Sequence, residues 1–192
     1  MFSILIDTHD KKVVVVLFKD GKAIDVYEEQ SVNKHSVVTL PSIRNILEKN
    51  NVLINDINEV FVVNGPGSFT GVRIAVTIGK TIAYLLNVPI KVIDALSLIA
   101  INVKLPNKYV SIEDRNGAFV GEFDSNNNLV NDIKYVNKEE YNELSSKNEY
   151  ISDIEIDYNL IYDYLSNKPV LNAHEVKPFY VKGISVLNDK KC

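Results

Sequence analysis

One block restricts what this chain can become: Gly65-Pro66-Gly67-Ser68-Phe69-Thr70-Gly71-Val72-Arg73-Ile74, in which three of the chain's eight glycines fall within seven residues. It follows an apolar run, Glu59–Asn64, and opens a helical pattern from Phe69 to Leu86 that stops before Asn87-Val88-Pro89. The residues before a proline are biased away from helix. Gly65 and Gly67 admit backbone angles closed to other residues, and Pro66 stiffens the turn between them. Ser68 or Thr70 can accept a hydrogen bond from the free N–H groups of the first helical turn. The block therefore predicts a strand, a tight loop and a helix. A helix N-terminus fed by such a loop can hold an anion; it can equally be a capped turn without a ligand. The standard phosphate cradles do not fit. A dinucleotide fingerprint needs its third glycine one residue before Gly71, and Gly79-Lys80-Thr81 lacks the upstream glycine of a Walker A loop, since Ile74 stands there.

Around this block the hydrophobic period changes twice. Phe2–Asp7, Lys12–Phe18 and Ala23–Gln30 read as strands, joined at Lys19-Asp20-Gly21-Lys22 by an Asp-Gly hairpin turn. They predict a three-stranded antiparallel meander. From His35 to Asn50, Val37, Leu40, Ile43 and Leu47 recur at three- and four-residue steps, with Ile46 alongside, and predict an amphipathic helix kinked at Pro41. Ile90–Asp94 reads as a strand and Ala95–Val103 as a helix. Strands alternating with helices imply an α/β protein with a mixed sheet flanked by helices. Leu105-Pro106-Asn107 marks a boundary between a domain of residues 1–105 and a smaller one of 106–192. The second half repeats the theme: Tyr109–Asp114 and Ala118–Asp124 around Asn116-Gly117, a strand at Leu129–Val136, and helices at Lys138–Ser145 and Asp157–Leu165.

Composition narrows the function. The net charge is 21 − 25 = −4, and the second half carries most of the acid. A protein that grips nucleic acid by itself needs a basic patch, and no basic run is present, so any RNA role is expected through a partner. The N-terminus has no basic leader, and Val13–Phe18 is far shorter than the ~20 residues of a membrane span. A soluble cytoplasmic protein is expected. The single cysteine, Cys192, staples nothing.

The helix after the loop carries a second pattern: Gly71, Ala75, Gly79 and Ala83 place small side chains on one stripe. A glycine in mid-helix costs ~1 kcal/mol against alanine, so close packing must offset it, either on this chain's own sheet or on a helix of another subunit.

These residues resemble the TsaB (YeaZ) family. The block Gly65–Ile74 is similar to that family's signature; Ile6-Asp7-Thr8, His35, Asp94-Ala95-Leu96-Ser97, Ser111–Arg115 and Pro178-Phe179-Tyr180-Val181-Lys182 agree in support. Ala75 and Lys182 depart from the family's glycine and arginine, and the second domain is shortened. The resemblance implies an actin-like, Hsp70-like fold of the ribonuclease H-like (ASKHA) kind, with duplicated domains and the second one reduced. It implies the dimerization subunit of the complex that makes threonylcarbamoyladenosine in tRNA, beside the anticodon of tRNAs reading codons that start with A. The catalytic partner would be TsaD, with a TsaE ATPase in a larger complex and a homodimer when isolated. tRNA would be met only through the complex, and ATP and a metal ion would sit on partner subunits, none on this chain alone. The partner face would hold His35, Leu40, Ile43, Leu47, Gly71, Arg73, Ala75, Gly79 and Ala83, with Arg73 orienting the loop or meeting an acidic group. Asp7 and Thr8 would be a vestigial nucleotide site.

Two rival classes stand beside this one. A homodimeric actin-like phosphotransferase or ATPase needs glycine-rich phosphate hairpins, but Asp7-Thr8-His9-Asp10 has no glycine and Asn116-Gly117 is a lone turn. A glycoprotease-like metallopeptidase needs a helical His-x-x-x-His pair, but His9, His35 and His174 are far apart. Glu113, Asp114 and Arg115 are expected to form a solvated strand end with a local ion pair.

Overall fold

A computed structural model describes residues 1–31 and 34–181; Lys182 and Cys192 lie outside the described residues. The chain opens with the expected meander: β1 (Phe2–Asp7), β2 (Lys12–Lys19) and β3 (Lys22–Gln30), each antiparallel to the one before. Helix α1 (His35–Lys49) then crosses to β4 (Ile57–Val63), parallel to β1, and α2 (Phe69–Leu86) crosses to β5 (Ile90–Ile93), parallel to β4. The sheet order is β3-β2-β1-β4-β5. Pro41 lies inside α1, which runs on to Lys49.

After α3 (Ala95–Ile101) the same sequence of elements starts again. The strands β6 (Lys108–Glu113), β7 (Gly117–Phe123) and β8 (Lys134–Asn137) form a second antiparallel meander. Helix α4 (Lys138–Lys147) then crosses to β9 (Tyr150–Ile151), which lies parallel to β6 and is followed by α5 (Tyr158–Ser166). The second sheet, β8-β7-β6-β9, is the first four positions of the first sheet over again.

Two sequence expectations change in this half. The strand expected over Leu129–Val136 forms only from Lys134, because Asp124 accepts the backbone N–H groups of Asn126 and Asn128, both at 2.8 Å, and curls the chain there. Leu129 keeps one isolated bridge to Phe123. The two-residue strand β9 is too short to show any period.

The two sheets do not divide their helices at residue 105. Ile161 and Leu165 of α5 are fully buried against the first sheet, beside Leu5, Phe18 and Phe61. Leu96, Ile99 and Ala100 of α3 pack on the second sheet with Val110, Phe119 and Phe123. Buried charges tie the exchange down. Lys91 on β5 pairs with Glu59 at 2.9 Å and donates to the Ser166 carbonyl at the end of α5. Lys108 on β6 donates to the Ala100 carbonyl of α3 and to Asn127; burial lowers its pKa while Asp124 opposes the shift.

The small stripe of α2 faces this chain's own sheet. Gly71, Ala75, Gly79 and Ala83 are all buried, so their assignment to a partner surface is corrected. A β-carbon on Gly79 would overlap Val62 Cγ2 and lie 3.6 Å from Val60 Cγ1, both on β4. His35, Ile43 and Leu47 of α1 are buried in the same way. Gly79→Leu is therefore a folding lesion. Overpacking of this kind costs about 3 kcal/mol, which a urea melt should register as a lowered midpoint; a normally stable variant would move the stripe off the sheet.

Among the described residues, α2 is the one helix that is long and apolar enough, by length and composition, to cross a membrane. Its apolar character has two sources, an inner stripe on β4 and a half-buried outer row, and the second of these builds the candidate site.

Candidate functional site

The signature loop joins β4 to α2 and is held from three sides. The peptide Gly65–Pro66 is cis, and Gly65 takes φ +108°, a region that L side chains avoid. The Gly65 carbonyl accepts the Ala95 N–H at 2.8 Å, which anchors the loop to the start of α3. There the Asp94 side chain caps α3 by accepting the Ser97 N–H at 2.8 Å.

On the second side lies the β1–β2 turn. The Ser68 N–H donates to the His9 carbonyl at 2.6 Å, and Thr8 Oγ1 donates to the Gly71 carbonyl at 2.6 Å. A β-carbon on Gly67 would overlap the His9 carbonyl oxygen, and one on Gly71 the Thr8 carbonyl oxygen. These glycines admit another part of the same backbone; no phosphate is needed to explain them. Ser68 caps α2, its Oγ accepting the Gly71 N–H at 3.2 Å, while Thr70 does not.

The third side is the C-terminal segment. The Phe179 N–H donates to the Asn64 carbonyl at 2.7 Å, and Tyr180 stacks on Phe69 with centroids 5.3 Å apart. The Arg73 guanidinium lies 5.1 Å from the centroid of the Phe69 ring.

Asp7 and Thr8 end β1 under this loop. Asp7 is buried, and its Oδ1 accepts the His9 N–H at 2.9 Å and pairs with His9 Nδ1 at 2.7 Å. The backbone N–H that could have met a phosphate at this turn is thus taken by the chain's own carboxylate. Burial pulls the His9 pKa down, but the Asp7 charge and hydrogen bond, helped by Asp10, outweigh it and raise the imidazole above 6.5.

The sign of this linkage sets a pH test. A raised folded-state pKa stabilises the fold fully below about 6.5, and the contribution is lost as pH rises through the folded value. Urea melts should show stability falling with pH above 6.5 in the native chain, by up to ~1.4 kcal/mol per pH unit, and a flatter profile in His9→Gln. Parallel profiles would show that the pair does not titrate with folding.

The other histidines are also engaged. His35 Nε2 lies 2.7 Å from the Asp10 carbonyl, and the His174 ring meets Tyr84 edge-on at 5.0 Å. Among the described residues, no three His, Cys, Asp or Glu side chains gather to hold a metal ion.

The outward feature is a trough of about 400 Å³ between α1 and α2. Ser36 and Leu40 form its α1 wall, and Thr70, Arg73, Ile74 and Thr77 form most of its α2 wall. Leu40 is 57% exposed and Val37, one turn earlier, 70%. Of the residues expected on a partner face, only Leu40 and Arg73 open onto this trough. Sequence reasoning missed Ile74, Thr77 and Ile78, although Thr70, Ile74 and Ile78 recur every four residues just as the small stripe does.

A meander, a helical crossover to a parallel fourth strand and the order 3-2-1-4-5, repeated in reduced form, define an actin-like, ribonuclease H-like α/β protein with duplicated halves. Two solved structures share the fold: YeaZ from Pseudomonas aeruginosa (TM-score 0.77, 18% identity, 93% of this chain and 99% of that one) and a protein described as similar to peptidase YeaZ from the same organism (TM-score 0.79, 17% identity, 94% and 99%). The family model of TsaD, tRNA N6-adenosine threonylcarbamoyltransferase, matches residues 26–114. The tRNA threonylcarbamoyladenosine biosynthesis protein TsaB of Bacillus subtilis is 33% identical over 102 residues, 53% of this chain and 44% of that protein. Its counterpart from Buchnera aphidicola subsp. Schizaphis graminum is 32% identical over 132 residues, 65% and 61%. The chain thus spans less than two thirds of the curated relatives it matches. The relatives that it matches in sequence are TsaB proteins, and its fold is that of YeaZ.

Proposed function

We propose that this chain is a non-catalytic scaffold subunit for threonylcarbamoyl transfer to the adenosine beside the anticodon of tRNAs reading codons that start with A. It acts by docking on the catalytic TsaD-type chain. The observation that carries this reading is the trough between α1 and α2, where Leu40 stays exposed on α1 and Ile74 and Ile78 only half-buried on α2, although both helices are already seated on their own sheet. An exposed apolar patch of this kind marks an interaction surface, and a trough between parallel ridges accepts the ridge of a partner helix. A TsaD-type chain with the same helical crossovers would present a matching pair. The homodimer of the isolated chain would use the same face and compete with that pairing.

The β1–β2 turn supports a non-catalytic role. The His9 amide is committed to Asp7, the His9 carbonyl to Ser68, the Thr8 hydroxyl to Gly71, and the His9 ring to Asp7. In this reading ATP and a metal ion sit on partner chains, a TsaE-type ATPase joins the larger assembly, and tRNA is contacted only through the complex.

The test is co-expression with the TsaD-type chain of the same genome, followed by reconstitution of tRNA modification with and without this subunit. Stoichiometric co-purification and modification only in the presence of both chains are expected. Tight magnesium-dependent ATP binding by the lone chain, or full modification without it, overturns the reading in favour of an actin-like ATPase.

A further inference from the structure

The second sheet carries a cavity that the docking face does not use. It has a volume of about 490 Å³ and lies where β6 and β9 end, on the α4 side. Glu113, Asp114 and Arg115 line it at the carboxyl end of β6, Asn148, Glu149 and Tyr150 at the start of β9, and Ser152 just beyond β9. The volume falls within the ~300–1,000 Å³ range of small-molecule sites.

Charge decides what could enter. Arg115 and Lys138 line the cavity, as do Glu113, Asp114 and Glu149. The ion pair expected at this strand end is not made: among the described residues Arg115 has no carboxylate partner, nor has Lys138. Asp114 is already engaged, since its Oδ1 accepts the Asn116 N–H at 2.7 Å and the Tyr135 hydroxyl at 2.9 Å. Glu113 is oriented by Tyr141, whose hydroxyl lies 3.4 Å from Glu113 Oε1 and 2.8 Å from the buried Ser111 Oγ.

Two cations and two carboxylates therefore remain open to a ligand, in balance. A nucleotide or other polyanion would face three acidic side chains, and a polyamine would face Arg115 and Lys138. A molecule with one carboxylate and one ammonium satisfies both sets, because a guanidinium binds a carboxylate in bidentate fashion and a carboxylate accepts from an ammonium. Asn142, Ser145 and Asn148 supply hydrogen-bonding groups for a polar remainder.

We infer that this cavity is a binding site for a free α-amino acid, its carboxylate on Arg115 and Lys138 and its ammonium on Glu113 and Glu149. The site shares no residue with the α1–α2 trough, so it stands or falls independently of the docking reading.

The experiment is a heteronuclear NMR titration of the isotope-labelled full chain with each of the twenty α-amino acids at millimolar concentration. Sodium acetate and ethylammonium chloride serve as probes of each charge alone. At least one amino acid should give saturable shifts at the amides of Arg115, Gly117 and Glu149, and both single-charge probes should bind about tenfold more weakly or not at all. Arg115→Gln and Glu149→Gln, each at an exposed side chain, should weaken that binding about tenfold with an unchanged melting temperature. Failure of all twenty to saturate, acetate binding as tightly as the best amino acid, or unaltered affinity in both variants overturns the assignment.

Discussion

Gly71→Ala is expected to destabilise the chain by about 3–5 kcal/mol, the cost of overpacking added to a lost buried hydrogen bond. The new methyl would overlap the Thr8 carbonyl oxygen and sit 3.1 Å from its carbon. Neither partner can turn aside. Thr8 is fully buried at the end of β1, and Gly71 is in the first turn of α2. Relief requires α2 to lift from β1, which lengthens the Thr8–Gly71 bond and pulls Ser68 away from the His9 carbonyl. At ~2–4 °C per kcal/mol for a chain of this size, the melting temperature should fall by about 10 °C. A phosphate-cradle reading makes a different forecast: normal folding and lost anion affinity. A shift of less than ~2 °C would show that the loop has room, and would reopen that reading.

Much of the fold was legible because local chemistry and long-range packing agree. The limits of α2 follow from Ser68 at one end and Asn87, in a left-handed conformation, at the other. Three things were not. The second half's last helix returns to the first sheet, and nothing in the period of Ile161 and Leu165 says which sheet they will meet. The strand β9 is two residues long. The third was the face of α2. Its small stripe and its outer aliphatic row both repeat every four residues, and both suit close packing. Only the positions of Val60 and Val62 decide that the small residues turn inward, which leaves Ile74 and Thr77 on the trough.

That division of α2 makes the docking face separable from the core. Leu40→Arg combined with Thr77→Arg should abolish co-purification with the TsaD-type chain while leaving the fold intact. Both positions are exposed, and surface substitutions away from packed features change stability by ~0.5 kcal/mol or less. At the interface, each arginine would bring an unpaired charge against aliphatic side chains. A penalty of about 2–3 kcal/mol corresponds to a loss of roughly 30- to 150-fold in affinity. The contrast with Gly79→Leu is the informative part. One substitution lies on the inner face of α2 and should destabilise the fold; the other lies nearly half a turn away on α2, at Thr77, and on α1, at Leu40, and should uncouple a folded chain. If the double arginine variant still co-purifies at full yield and its melting curve is unchanged, the trough is not the docking face. If instead it melts early, α1 and α2 rely on contacts across the trough that their exposure does not reveal. Only loss of pairing at constant stability supports a scaffold that meets its partner through these two helices.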